Sequence, residues 1–530
     1  MSGEKVPMGE GDAHMEELHR EPTVKPLPTS VATEAGVLLD VEGSDAHGLK
    51  LAKDGHTVLL PQPTDLDSDP LNWSSSRKHL ILFTVAFGAL CADFTSAAGT
   101  ATIFLQGAEW EMSPNKVNYA GNLNVLMMGL GGLLWVPMTR YWGRAPTLFW
   151  ATFIGFLFSL GSALAPTWPT FYAMRAVMGW FLTAPQTISI AFLKDCFFFH
   201  ERAGKIGLWS MLYIASPYIG PCFANFIVGR TGDWRAVFWL NTGVVALQLC
   251  FIVLFIDETW FDRERPSSEH PLRPQGFMHR ILRLLGTWQI KHHSAYFDNV
   301  FSSYKCFASV LTKPALVLIL CNYLFIFAWA IGINITTSIL FATPAAYGGY
   351  GYSNTQLGYL YFTPIVAVFL GEAFGHPWND WMARRYVHHH RGVYEAEARL
   401  WTIYIAIVFM AAGLTLVGQT LQHHLSVVGI VFGWGMNVFG VMLNSVAVTA
   451  YALDSYPLAP AEVGGWINFM RVAGGFSVGY FQQPWGAKVG FDASFGTQAA
   501  IVGFSGLFVA IAHVFGHRLR VRAGPITSKH

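Results

Sequence analysis

Asp93 stands alone as an acid inside an apolar run, GALCADFTSAAG over residues 88–99. A carboxylate in hydrocarbon costs several kcal/mol, so it belongs on a polar cavity. Burial disfavours its charged form and makes reversible protonation near neutral pH chemically reasonable. Asp93 is therefore expected to carry a proton or to balance a cationic solute; a helix cap or structural ion pair is the plainer alternative. Arg175, in FYAMRAVMGW (171–180), is expected at a similar depth. An Asp93–Arg175 pair that makes and breaks would gate access, a static pair would serve assembly, and a lone Arg175 would neutralise an anionic solute.

Uncharged groups recur within the same kind of apolar stretch. Asn124 and Gln186 can bond a solute or a neighbouring helix. Trp329, Asn334 and Thr336, then Trp434 and Asn437, set aromatic faces beside amides, a combination suited to an organic solute held by stacking and cation–π attraction; core packing is the alternative for each. Pro217 and Pro221 remove backbone donors and should bend their helix. Ala215, Ser216 and Gly220 beside them allow close packing. Asp454, Asn468 and Arg471 flank one turn and are expected to form an inner gate, with Glu372, Asp380, Arg384 and Arg385 as its counterpart. His388–His390 read as a solvated loop, and the sequon at Asn72–Ser74 falls on the expected cytoplasmic side. Six scattered cysteines include no CxxC pair, and no metal or cofactor site is expected.

Such residues need long apolar helices to hold them. Of 530 residues, 52% are hydrophobic and 13% charged, against about 25% charged in soluble domains. Net charge is +1 with no basic stripe, which gives no footing for nucleic acid. A span needs about 20 apolar residues. Twelve candidates occur, near 80–102, 118–138, 146–165, 170–192, 204–228, 236–256, 313–338, 355–375, 400–419, 424–450, 463–485 and 497–517. The expectation is an all-α polytopic membrane protein. A disordered tail (1–78) precedes a first six-helix bundle (79–256). A central loop (257–312) leads to a second bundle (313–517) and a short tail (518–530). Within the loop, GFMHRILRLLGTWQIKHH (276–293) suggests an amphipathic helix with Phe277, Ile281, Leu284, Leu285 and Trp288 on one face, or an ordinary linker. Lys and Arg concentrate at Arg140, Arg144, Lys194, Arg202, Lys205 and Arg384–Arg399, which puts both termini in the cytoplasm. Both halves carry a basic loop after their second helix, the mark of an internal repeat. No phosphate-binding GxxxxGK[ST] loop is present, which favours gradient-driven transport over an ATP engine.

GGLLWVPMTRYWGRAPT (131–147) resembles the signature loop of the major facilitator superfamily. Gly143 and Arg144 match its Gly-Arg pair, while the family's usual Asp falls at Arg140. GEAFGHPWNDWMARR (371–385) is a weaker second-half echo that keeps Asp380, followed by EAEARL (395–400). SPYIGPCFAN (216–225) is similar to the antiporter motif of drug:proton exchangers at Gly220 and Pro221, with Ala224 and Asn225 where that motif ends in glycines. GDWRAVFW (232–239), DETW (257–260) and YALDSYP (451–457) resemble the fungal branch that includes drug:proton antiporters and low-specificity cation carriers.

The resemblance covers about residues 70–517. It implies two six-helix bundles in the major facilitator fold, a carrier rather than an enzyme, and a plasma-membrane or vacuolar home. Proton-coupled export of a drug-like compound or secondary metabolite is the leading expectation. Uptake of organic cations, polyamines or organic acids, and a transceptor role, are the alternatives. Expected partners are the solute, protons and membrane lipid, with the chain monomeric.

Overall fold

The computed structural model describes residues 32–33, 36–37, 50–51, 59–263, 265–344, 349–389, 395–456, 459–524 and 526. Most of the expected N-terminal tail, His390, Pro457 and the side chain of Thr336 lie outside the described residues.

The long helices form where apolar runs exceed a membrane's thickness. In the first half they are α1 (Ser75–Glu109), α2 (Pro114–Tyr141), α3 (Arg144–Ala163), α4 (Trp168–Cys196), α5 (Gly204–Thr231) and α6 (Arg235–Phe255). The central segment holds α7 (Phe277–Leu285), α8 (Thr287–Tyr296) and α9 (Val300–Ser309). The second half holds α10 (Pro314–Ala342), α11 (Asn354–Tyr386), α12 (Ala396–Gln422), α13 (Val427–Ser455), α14 (Pro460–Val489) and α15 (Phe491–Ala523). Eleven of these are long and apolar enough to cross a membrane. α14, the twelfth, is long enough but carries Glu462, Asn468, Arg471 and Gln482, all buried inside the protein. Its polarity is hidden from lipid, as irregular or polar spans require. α15 continues to Ala523, past the expected boundary at 517.

The halves repeat their packing. α1 lies on α5, α2 on α4 and α3 on α6; correspondingly α10 lies on α14, α11 on α13 and α12 on α15. Between the bundles, α2 packs on α14 and α5 on α11, which is the same contact related by a pseudo-two-fold axis. A Cβ on Gly220 would collide with the Phe94 carbonyl of α1, and one on Gly474 with the Leu324 carbonyl of α10. The two small residues occupy equivalent places and set how closely each helix pair approaches. Leu157, Phe223, Leu254, Val408, Phe432 and Val514 form part of an exposed apolar surface suited to lipid. The chain is a multi-pass membrane protein.

The central segment departs from a single amphipathic helix. Gly286 takes φ +89°, a left-handed conformation that ends α7 after Leu285, and a side chain there would strike Trp142. Leu284 and Trp288 are buried, but Phe277 is exposed. The Trp150 indole donates to the Leu285 carbonyl at 3.1 Å, fastening α7 to α3.

Candidate functional site

Asp93 of α1 meets Arg471 of α14 at 2.8 Å, joining the two bundles mid-way along their helices. Arg471 lies eleven residues into its helix, about 16 Å at 1.5 Å per residue. That depth takes it away from the turn gate expected with Asp454. The Gln186 side-chain amide donates to Asp93 Oδ2 at 2.8 Å. Arg471 also donates to Asn468 Oδ1 at 3.4 Å and stacks 4.3 Å over the Tyr213 ring. The Tyr213 hydroxyl donates to the same Asn468 oxygen at 2.6 Å, and the Asn468 amide reaches Thr183 Oγ1 at 3.3 Å. A buried ion pair persists only with this much hydrogen bonding around it.

Of the readings left open for Asp93 and Arg175, a direct pair does not form. The Arg175 guanidinium donates instead to the carbonyls of Thr95 at 2.8 Å and Ser96 at 2.6 Å, and lies 5.6 Å from the Phe238 ring centre. These carbonyls turn toward it where α1 tightens into the 3-10 turn Ala98–Thr102. Asn124 bridges the same point: its amide donates to the Arg175 carbonyl at 2.6 Å and its oxygen accepts from Ser96 Oγ at 2.5 Å. Arg175 and Asn124 thus brace a break in α1, the kind of interruption that often marks a hinge.

The central cavity beside the ion pair is lined by Asp93, Asn118, Pro217, Tyr218, Asn334 and Arg471, among others. It offers about 60 Å³ to water centres, room for about four waters rather than a drug-sized solute. Asn334 of α10 donates to the Pro217 carbonyl at 2.9 Å across the bundle interface. The acceptor is free because Pro221, four residues on, has no N–H to close the helical bond. The two prolines of α5 therefore create an acceptor for the opposite bundle as well as a bend.

The other cavity candidates lie farther out. Trp329 packs near Phe481 and Trp485. Trp434 touches Tyr218 and Tyr361 edge-on and lines a separate, smaller apolar void. Asn437 is buried, with its backbone against Gly413 of α12.

On the face carrying the central segment, Arg140 of α2 pairs with Glu462 of α14 at 2.8 Å and with Asp298 at 2.9 Å. Sequence reading singled out Arg140 but gave no sign of Glu462, whose place in α14 only the fold reveals. Arg144 pairs with Asp195 inside the first bundle, while Glu258 of DETW accepts from the Arg144 amide at 3.1 Å. Gly143, at φ +93°, lets Glu258 approach. The second half repeats the arrangement. Arg399 at the start of α12 pairs with Asp454 at 2.6 Å and with Asp380 at 3.1 Å. Arg384 and Arg385 are exposed, and Arg385 lies over Trp381. Arg384 Nε donates to the Asp380 backbone carbonyl at 3.4 Å, but the carboxylates pair with Arg399, so the expected gate of Asp380 with Arg384 and Arg385 is replaced by the ion pairs Asp380–Arg399–Asp454. Glu372 lies apart from it, facing Gly207 of α5.

The bundles touch at both ends. On the central-segment face Gly207 lies against Glu372; on the far face Gly229 of α5 lies against Thr355, and the Tyr119 and Tyr480 rings are 5.0 Å apart. With the small central cavity between them, this is an occluded arrangement.

Comparison with known proteins places this architecture. The family model described as Major Facilitator Superfamily matches residues 83–480. An uncharacterized MFS-type transporter of Schizosaccharomyces pombe is 30% identical over 218 residues, 40% of this chain and 36% of that protein, so the chain matches only about a third of this relative's length. The MFS antiporter QDR3 of Candida albicans is 22% identical, across 82% of this chain and 75% of its own. The multidrug transporter mdrA of Aspergillus fumigatus is 24% identical, across 74% and 64%. The proton:xylose symporter XylE superposes with a TM-score of 0.57 at 16% identity, covering 82% of this chain and 96% of XylE, and so shares the fold. Two pseudo-symmetric six-helix bundles, a Gly-Arg loop after α2 and a family match over three-quarters of the sequence lead to one assignment: the chain belongs to the major facilitator superfamily.

Proposed function

We propose that this protein is a proton-coupled secondary transporter that exports a small organic compound by alternating access. The observation that carries this reading is the Asp93–Arg471 pair, an ion pair that joins the two bundles about mid-way along their helices. Opening that draws α1 away from α14 separates these charges. Protonation of Asp93 removes its negative charge, weakens its hold on Arg471 and lowers the cost of separation. A cationic or polar solute that takes the place of Arg471 beside Asp93 then competes with the proton, and that competition is antiport. Coupling of this kind requires each ligand to favour a different state.

Export is supported by the names of relatives: an MFS antiporter, a multidrug transporter, a cycloheximide resistance protein and an efflux pump. The aromatic groups at and behind the cavity, Tyr218, Phe327 and Trp434, suit an amphipathic substrate. We place the central-segment face in the cytoplasm, on the bias of Lys and Arg toward it, and the protein in the plasma membrane. The test is flux in sealed proteoliposomes of known orientation with an imposed proton gradient. Solute accumulation against its own gradient, driven by opposing proton flow and abolished by a protonophore, is expected; solute moving in the same direction as protons would replace export with uptake.

A further inference from the structure

Glu372 sits on α11 where that helix meets α5, and a Cβ on Gly207 would lie 2.6 Å from its Oε1. Its side chain is 15% exposed, and Oε2 is buried without a hydrogen-bond partner. Among the described residues, the basic group within ion-pairing distance is His376 one turn on, with Nδ1 at 4.0 Å. The other ring nitrogen of His376 lies 3.5 Å from Asp380, and Asp380 is held by Arg399, which also holds Asp454. From the helical turn that leads into α5 at residues 199–202, Arg202 lines the adjoining interfacial cavity with Gly207 and His376, and its guanidinium is bonded to the Lys194 and Phe197 carbonyls. From α13, the side chains packed on this stretch of α11 are Met442, Leu443 and Val446, none of which titrates. Among the described residues, Glu372 is thus a carboxyl group with an orphaned buried oxygen, no guanidinium or ammonium within ion-pairing distance, and a bundle interface across it. An ionised carboxylate in that setting is expensive; a neutral carboxylic acid is the form that fits.

We propose that Glu372 is a second proton-binding site, distinct from Asp93, occupied while α5 and α11 are closed together and emptied when they part. Separation replaces Gly207 with water at the carboxyl. The O–H bond then breaks, the electron pair stays on the carboxylate, and water takes the proton as hydronium. The reverse step reloads the site before closure. His376 and the cavity of about 120 Å³ that it lines form the route by which that proton reaches the surface. The site would make closure at this face proton-dependent, and it deepens the proton-coupled reading on which it rests.

The test uses the full chain in lipid nanodiscs, spin-labelled at Gly204→Cys on α5 and Arg384→Cys on α11. The inter-label distance is followed between about pH 5 and about pH 9, a range in which buried carboxyls titrate. The Asp93–Arg471 pair has a pH dependence of its own, so the comparison is made in the D93N background, where that carboxyl is absent. D93N should shift from closed toward open as pH rises, and D93N/E372Q, in which the second amide mimics the neutral acid, should lose that shift and stay closed. The same pH response in both variants overturns the proposal. Infrared difference spectra of unlabelled wild type over the same range give an independent reading. A neutral-carboxyl band that disappears with opening and is missing from E372Q is expected; a band identical in both would refute the site. Loss of proton-driven flux in D93N bears on the Asp93 reading alone, so the two can fail separately.

Discussion

Arg140 and Glu462 meet at 2.8 Å with one residue in each bundle, where the family's usual loop would place an acid in the first. Both side chains are largely buried, at 14% and 6% exposure, so removing one partner leaves a poorly solvated charge costing about 3 kcal/mol. R140E is expected to open the central-segment face and slow transport, E462R to do the same, and the charge-swapped double variant to recover most of the flux. Flux together with cysteine cross-linking between α2 and α14 measures this. Additive losses in the double variant would show that the two residues act separately.

Pro221 and Asn334 are coupled through one carbonyl. P221A restores an N–H that competes for the Pro217 oxygen, and N334A removes the donor now using it. Each single change should reduce flux. In thermal unfolding their effects should fall short of additivity by about 1 kcal/mol. Strict additivity would mean that the proline acts only by bending α5.

Gly220 and Gly474 should tolerate little. G220A and G474A each press a methyl into a facing carbonyl, which costs about 1–3 kcal/mol in a packed core. Gly243 has open space around its Cβ position, so G243A serves as the control and should change little. Melting temperatures of the three purified variants decide the point.

These pairings show how much the sequence could disclose. Helix number, bundle division and the Gly143-Arg144 loop are legible because each is a local pattern of apolar length or spacing. The polarity of Asp93 is legible for the same reason. Its partner is not: Arg175 reads as an arginine at similar depth and Arg471 as part of a gate at a turn, and only the packing of α14 on the first bundle brings Arg471 to Asp93. Likewise Arg399, rather than the adjacent pair Arg384-Arg385, reaches Asp380 because it starts α12 directly beside Asp454. The break at Gly286 was written in the sequence as a glycine within a helical pattern.

The segment before α1 should respond to acid. Asp69 is buried, which pushes its carboxyl up, but the charge and hydrogen bond of Arg263 and the amides of Leu71 and Thr64 outweigh this and hold it below its ordinary 3.8. A carboxylate held down in the folded state contributes stability above the ordinary value and loses it as pH falls through the lowered one. Amide exchange across residues 64–73, corrected for intrinsic rates, should therefore stay protected at neutral and mildly acidic pH and lose protection below about pH 4. D69N should lose it already at neutral pH.

The central claim is that Asp93 couples proton movement to separation of the bundles. The most direct measurement compares D93N with wild type in two modes in the same proteoliposomes, using one transported amphipathic cation. The modes are proton-driven accumulation and downhill exchange without a proton gradient. The account predicts that driven accumulation is lost, because the amide cannot bind and release a proton, while exchange persists at cation concentrations raised to offset the lost counter-charge. Proton-driven accumulation at the wild-type level in D93N would contradict it.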